Sequence, residues 1–228
     1  MSQNQDPMAQ IAELIENKSN IKQHTYRQLC ETFKQLKQEA KSVVERINAQ
    51  IKNKDKDISV KVINVNDREF HVKMAGDLLV FLMHTNIVTL DEKHGFNKSD
   101  YVAENPIRKY LGQINIYNFM ADSVTYNRLN DPGYLVARFS LNFEKRFLVE
   151  GKRRLNFMFD TVSGAPVTNT DLSIIIQLAL AQTIETDLVT RPFPEIQRIT
   201  LNEKVMRTQA MGGGYKIGFQ MNENQKVE

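Results

Sequence analysis

Leu29-Cys30-Glu31-Thr32-Phe33-Lys34-Gln35-Leu36-Lys37-Gln38-Glu39-Ala40-Lys41-Ser42-Val43-Val44-Glu45-Arg46-Ile47 carries the clearest pattern in the chain. Leu29, Phe33, Leu36, Ala40, Val43 and Ile47 are separated by 4, 3, 4, 3 and 4 residues. That spacing puts six apolar side chains on one stripe of a helix, as an a/d seam does. Composition agrees. From Met8 to Ala75 there is neither Gly nor Pro, and all 10 glycines lie at or after Gly76. The first 57 residues hold two of the 19 aromatics, Tyr26 and Phe33. A Lys-, Gln-, Glu- and Ala-rich stretch without breakers favours helix by propensity.

Upstream, Met8, Ala12 and Ile15 keep the register, but Ser19 and Lys22 fall on the next seam positions. Asn17-Lys18-Ser19-Asn20 reads as a helix end followed by a new N-cap. The sequence therefore predicts a short helix from about Asp6 to Asn17 and a long one from about Asn20 to Lys54. The long one would extend roughly 50 Å. Two readings stay open. The helix folds back on the rest of the chain as a core helix, or it projects and pairs with a second copy as a coiled coil. Amphipathic surface helices show the same seam.

The polar run Lys52-Asn53-Lys54-Asp55-Lys56-Asp57 ends this region. It divides the chain into a helical arm, 1–57, a candidate dimerisation segment, and an α+β domain, 58–228. Beyond it the period changes to two. Ile58, Val60 and Val62 alternate with polar residues, Asn66-Asp67 supplies a turn, and Phe70, Val72 and Met74 return as a second arm. Leu78–Leu90 reads as one bent strand or two, Lys93–Pro106 as a loop, and Leu111–Phe119 as a strand. Asn130-Asp131-Pro132-Gly133 is a strong turn. Tyr134–Phe143, Arg146–Val149 and Arg153–Phe159 read as a meander, with Glu150-Gly151 as its second turn. Asn169 or Thr170 caps a helix carrying Leu172, Ile175, Ile176, Ala179, Leu180, Ile184 and Leu188. Its wide apolar arc implies deep packing across the sheet. Arg191-Pro192-Phe193-Pro194 stops it as an extended loop. Gly212-Gly213-Gly214 precedes a last strand, Tyr215–Met221. Runs of strands and then a helix indicate α+β, a mainly antiparallel sheet with one deeply packed helix behind an N-terminal helical arm.

The bulk numbers exclude several classes. The 228 residues are 41% hydrophobic and 25% charged, as in an ordinary globular chain. Mean hydropathy is −0.43. The most apolar run, Leu172–Ala181, is far shorter than the roughly 18–20 residues of a spanning helix, so no membrane partner is expected. The N-terminus lacks a signal-peptide pattern, and a cytoplasmic location is expected. The single cysteine, Cys30, excludes an intrachain disulfide and a Cys-rich zinc site.

Three chemical leads stand out. Net charge is only +3, yet residues 145–154 carry a local +4, leaving −1 for the rest. Lys145, Arg146, Lys152, Arg153 and Arg154 interleave with Phe143, Phe147, Phe157 and Phe159. Cations neutralise phosphate while rings stack on bases, so nucleic acid or another polyanion is a candidate partner. Alternate core-facing rings and solvated cations explain the same residues. Second, Asp131, Glu150 and Lys152 resemble a metal-dependent phosphodiesterase pattern, with two carboxylates for a hard cation and a lysine for the phosphate. Glu-Gly-Lys is also a common hairpin turn. Third, His84, Asp91, Glu92 and His94 could ligate a metal, but the helical i, i+4 pattern is absent and no metal site is assigned. His71 is as ambiguous. The sequence names no cofactor. It favours a non-catalytic binding or protein-interaction module that forms a homo-oligomer through its N-terminal helices.

Overall fold

The computed structural model describes residues 6–52, 55, 56, 58, 60–151, 154–159, 161–189, 193–198, 200–202, 204, 215 and 216. The chain begins with one 44-residue helix. It comprises α1 (Pro7–Leu14), a π-helical turn (Ile15–Ser19) and α2 (Asn20–Gln50). Asp6 caps it, its carboxylate accepting the Met8 amide at 3.1 Å, and Pro7 follows at a position where its missing N–H costs nothing. The predicted break at 17–20 is absent. Ser19 has helical dihedrals, φ −72 and ψ −39, and its side chain caps nothing, whereas an N-cap needs extended backbone. The π turn carries the chain across instead.

Six antiparallel strands form one sheet in sequence order, β1 (Val60–Asn66), β2 (Glu69–Met74), β3 (Asp77–Met83), β4 (Gly112–Met120), β5 (Tyr134–Leu141) and β6 (Phe147–Gly151). The β1–β2 turn is Asp67-Arg68, because Asn66 still pairs with Glu69. After β3, Val88 makes a lone bridge to Leu111. The expected loop before β4 contains α3 (Asp100–Glu104) between two 3-10 turns, and α4 (Ala121–Thr125) follows β4.

Two helices cover one sheet face. Leu29, Phe33, Leu36, Ala40 and Val43 are at most 2% exposed, and Ile47 packs at the margin. The seam is therefore a core stripe laid on the protein's own sheet, which corrects the reading in which that stretch projects as a coiled coil. Phe33 meets Phe70 at 5.4 Å between ring centroids, and Phe70 stacks on Phe81 at 4.4 Å. Beside α2 lies α6 (Asn169–Ile184), with Leu172, Ile175, Ile176, Ala179 and Leu180 buried. Its cap is Thr168, one residue before the expected position, in a reciprocal capping box with Asp171. Arg46 donates to the Ser173 hydroxyl at 2.9 Å, tying the two helices.

Gly112 lets α2 approach β4. A Cβ there would lie 2.9 Å from Leu29 Cδ2 and 3.0 Å from Leu29 Cβ. Gly112→Ala is expected to cost about 1–3 kcal/mol, the range for overpacking a filled core, read as a lower urea midpoint.

The last predicted strand of the meander is a helix, α5 (Arg154–Phe159). The β5–β6 turn runs through Asn142–Arg146, with Lys145 at φ 57, so Glu150 and Gly151 end β6 instead of forming a turn. The segment at Arg191–Pro194 is partly described, and Phe193–Ile196 forms a helical turn, α7, where an extended loop was expected. Leu188–Val189 (β7) pairs with Tyr215–Lys216 (β8). Gly212–Gly214 and 217–221 lie outside the described residues.

Candidate functional site

The predicted catalytic carboxylates have separate partners. Asp131 sits in the β4–β5 connection, accepting a hydrogen bond from the Ser123 hydroxyl at 2.6 Å and pairing with Arg128 at 3.3 Å. Glu150 lies on β6 directly opposite Arg138 and pairs with it at 3.3 Å. From Arg138 back to Tyr134 the strand covers about 13 Å before the connection holding Asp131 begins. Lys152 lies outside the described residues. No group of three or more His, Cys, Asp or Glu suited to a metal ion occurs among the described residues.

Of the basic decapeptide, Lys145 and Arg146 sit at the turn end of β6. Lys152, Arg153 and the Arg154 side chain lie outside the described residues. Lys145 reaches α2, with its ammonium 3.0 Å from Glu31. Arg146 donates to the Ser163 carbonyl and stacks on the Tyr101 ring at 4.5 Å. Phe147 is buried against Phe139 and Phe159, so this ring faces the core.

Tyr101 organises that end of the sheet. Arg108 stacks on its ring at 4.3 Å, as Arg146 does. Its hydroxyl donates to Glu144 at 2.5 Å and accepts from the Asn142 amide at 2.7 Å. Arg108 also pairs with Glu144 at 3.2 Å. These contacts fasten α3 and its flanking turns to the β5–β6 hairpin. Burial and the Glu144 carboxylate push the Tyr101 phenol up to about 12. The neutral phenol is favoured in the folded state, so this stabilisation is full below pH 10 and is lost as pH rises from 10 through 12. In an ultraviolet phenolate titration, one of the seven tyrosines is expected to ionise last, and Tyr101→Phe to remove that late step. A titration unchanged in the variant would contradict the assignment.

The histidines have local partners. His94 Nδ1 accepts the Phe96 amide at 3.2 Å, and its other ring nitrogen lies 3.6 Å from Glu150. His84 contacts the Asn86 backbone at 2.9 Å. His71, which is buried, meets Glu69 at 2.6 Å. Asp91 accepts the Lys93 amide at 2.8 Å, and Glu92 lines a separate surface cleft. Cys30 lines a cleft of about 640 Å³ between α2 and the sheet rim, with Tyr26, Lys34, Arg68 and Met83.

Two surfaces remain, one wholly exposed and one only partly exposed. One is the start of the long helix. Residues 6–20 are all exposed, including Met8 at 70%, Ile11 at 51%, Leu14 at 60% and Ile15 at 57%. Met8, Ile11 and Ile15 form an i, i+3, i+7 stripe with Leu14 beside it. An apolar stripe in water needs a reason, unlike a scattered apolar residue. The second surface is the sheet face opposite α2 and α6. At one end, Phe96, Val102 and Leu111 pack on Leu148. At the other, Ala121 packs on Leu78, and Gly133 lies against the Phe119 ring. Between them runs a row across five strands, Ile63, His71, Val80, Tyr117 and Leu135, of which His71 and Val80 are buried. Leu82 and Val65 border it, both exposed.

No family model, curated protein or solved structure is significantly similar to this chain. The fold and these surfaces define an α+β protein, with a helical layer on one face of an antiparallel sheet and an exposed helical arm. No helix among the described residues is long and apolar enough to cross a membrane.

Proposed function

We propose that the chain is a non-catalytic protein-interaction module that self-associates through its N-terminal arm. The observation that carries this reading is the exposed stripe of Met8, Ile11 and Ile15 on a helix anchored in the core. The anchoring matters energetically. An isolated helix of fewer than about 12–15 residues is marginal in water because its nucleus is costly. Here α2 supplies the nucleus, so α1 is presented ready-folded and little ordering entropy opposes docking. The π turn supports the same reading, since such turns are rare and concentrate at functional positions. The two carboxylates of the phosphodiesterase pattern are each held by a separate cation, which favours a structural use for them.

Hydrogen exchange tests this locally. Amides of residues 8–19 are expected to gain protection as protein concentration rises, while those of α6 stay unchanged. Arm protection independent of concentration would overturn the proposal.

A further inference from the structure

Along one flank of α2, Lys22, Tyr26, Cys30 and Lys34 follow one another at intervals of four residues, so their side chains form a single row. The cleft of about 640 Å³ beside Cys30 lies against Tyr26, Cys30 and Lys34 of this row. A second cleft, of about 400 Å³, lies against Lys22, Gln23 and Tyr26, with Asn86 and Ile87 across from them. Tyr26 and Thr85 line both, so the two join into one groove. From Lys22 to Lys34 it runs about 18 Å at the rise of a helix.

Cations stand at both ends of the groove. At one end the Lys22 and Lys109 ammonium groups lie 5.4 and 5.7 Å from the centre of the Tyr110 ring. The ring attracts each of them, but the two repel one another, and an anion between them removes that repulsion. At the other end Lys34 and Arg68 line the rim. None of these four cations pairs with a carboxylate among the described residues. Two acids share the second end, Asp67 and Glu69, and Glu69 is already joined to His71. The balance is therefore positive. Between the ends the lining is neutral, with the Tyr26 ring beside the side chains of Gln23, Thr85 and Asn86.

A positive groove that also presents aromatic rings suits a single strand of nucleic acid. Cations neutralise its phosphates, and rings stack on its bases whatever the sequence. The length agrees. About 18 Å holds roughly five nucleotides at the ~3.4 Å spacing of a stacked strand, within the roughly 4–16 of such sites. An acidic peptide would meet the cations equally well, but it does not offer a flat face at every residue for Tyr26 and Tyr110.

We propose that this groove binds single-stranded nucleic acid, with phosphates at Lys22 and Lys109 and at Lys34 and Arg68, and bases against Tyr26 and Tyr110. The groove is a different surface from the apolar stripe of the arm, so this binding goes beyond self-association and does not rest on it.

Fluorescence anisotropy with a labelled oligothymidylate of about 15 nucleotides measures the binding. Cys30, the only cysteine, serves as a reporter inside the groove. The parent is expected to bind with a log–log salt slope of about −3, from four neutralised phosphates at roughly −0.7 each. Lys22→Ala/Lys109→Ala is expected to weaken binding at least fivefold at low salt and to bring the slope to about −1.5. Lys61→Ala/Lys73→Ala removes the same charge from the sheet face away from α2 and is expected to bind like the parent. Bound oligonucleotide is expected to slow alkylation of Cys30 by iodoacetamide at least fivefold. Affinity that does not change with salt would overturn the proposal, as would equal losses in the two lysine pairs. Cys30 alkylation that bound oligonucleotide leaves unchanged would place the strand elsewhere and overturn it too. If poly-glutamate protects Cys30 as well as the oligonucleotide does, the groove takes acidic peptides and the proposal fails.

Discussion

Phe33→Ala is expected to destabilise the protein by about 3–5 kcal/mol, the range for removing a fully buried aromatic side chain. Phe33 is 1% exposed and lies against Phe70, which stacks on Phe81. Truncation removes the contact between α2 and the centre of the sheet and leaves a cavity between two layers that cannot easily collapse. Total stabilities are only about 5–15 kcal/mol, so the loss is a large share of the whole. Urea unfolding followed by far-ultraviolet circular dichroism measures it. A cost below about 1 kcal/mol would show that α2 is not a layer of this core. Lys34→Ala, at the exposed next residue, serves as control. Exposed positions of that kind usually change stability by no more than about 0.5 kcal/mol.

Ile11→Glu/Ile15→Glu is expected to leave stability nearly unchanged and to weaken self-association at least tenfold. Both isoleucines are more than half exposed in the single chain, so nothing in the folded core depends on them. Burying the exposed half of each in an interface would contribute about 0.7–1.5 kcal/mol, and about 1.4 kcal/mol is tenfold in affinity. The substituted carboxylates add the desolvation cost of unpaired charge. A variant that loses stability instead would place the arm within the core.

The helix was legible because a 3.5- to 3.6-residue stripe and the lack of glycine speak about local geometry. What the stripe touches was not legible. Leu29, Phe33, Leu36, Ala40 and Val43 would show the same spacing against a second helix or against a sheet, because either partner needs one continuous apolar edge. Ser19 illustrates a related limit. It has the residue type of a cap, but a cap also needs extended backbone, and helix on both sides held this position helical. Residues 154–159 misled through composition, since Phe157 and Phe159 favour strand. The packing of Leu155 under Gly151, where a Cβ would come within 2.8 Å, helps hold a helix there.

The candidate surfaces differ in the same way. Met8, Ala12 and Ile15 stood in the sequence as an apolar continuation of the seam, and only their exposure was hidden. The open face could not be read in advance, because Ile63 and Tyr117 become neighbours only through the registers of β1 to β4. Likewise Glu150 resembled a site residue while its neighbour in sequence was Gly151. Across the sheet its neighbour is Arg138. Tyr101 and Glu144, 43 residues apart, gave no sequence signal at all.

Sedimentation equilibrium of the full chain, from low to high micromolar concentration, tests the central claim most directly. The account predicts a weight-average mass that rises from monomer to dimer with concentration, and a monomer at every concentration for Ile11→Glu/Ile15→Glu. A parent protein that stays strictly monomeric at high micromolar concentration would contradict it.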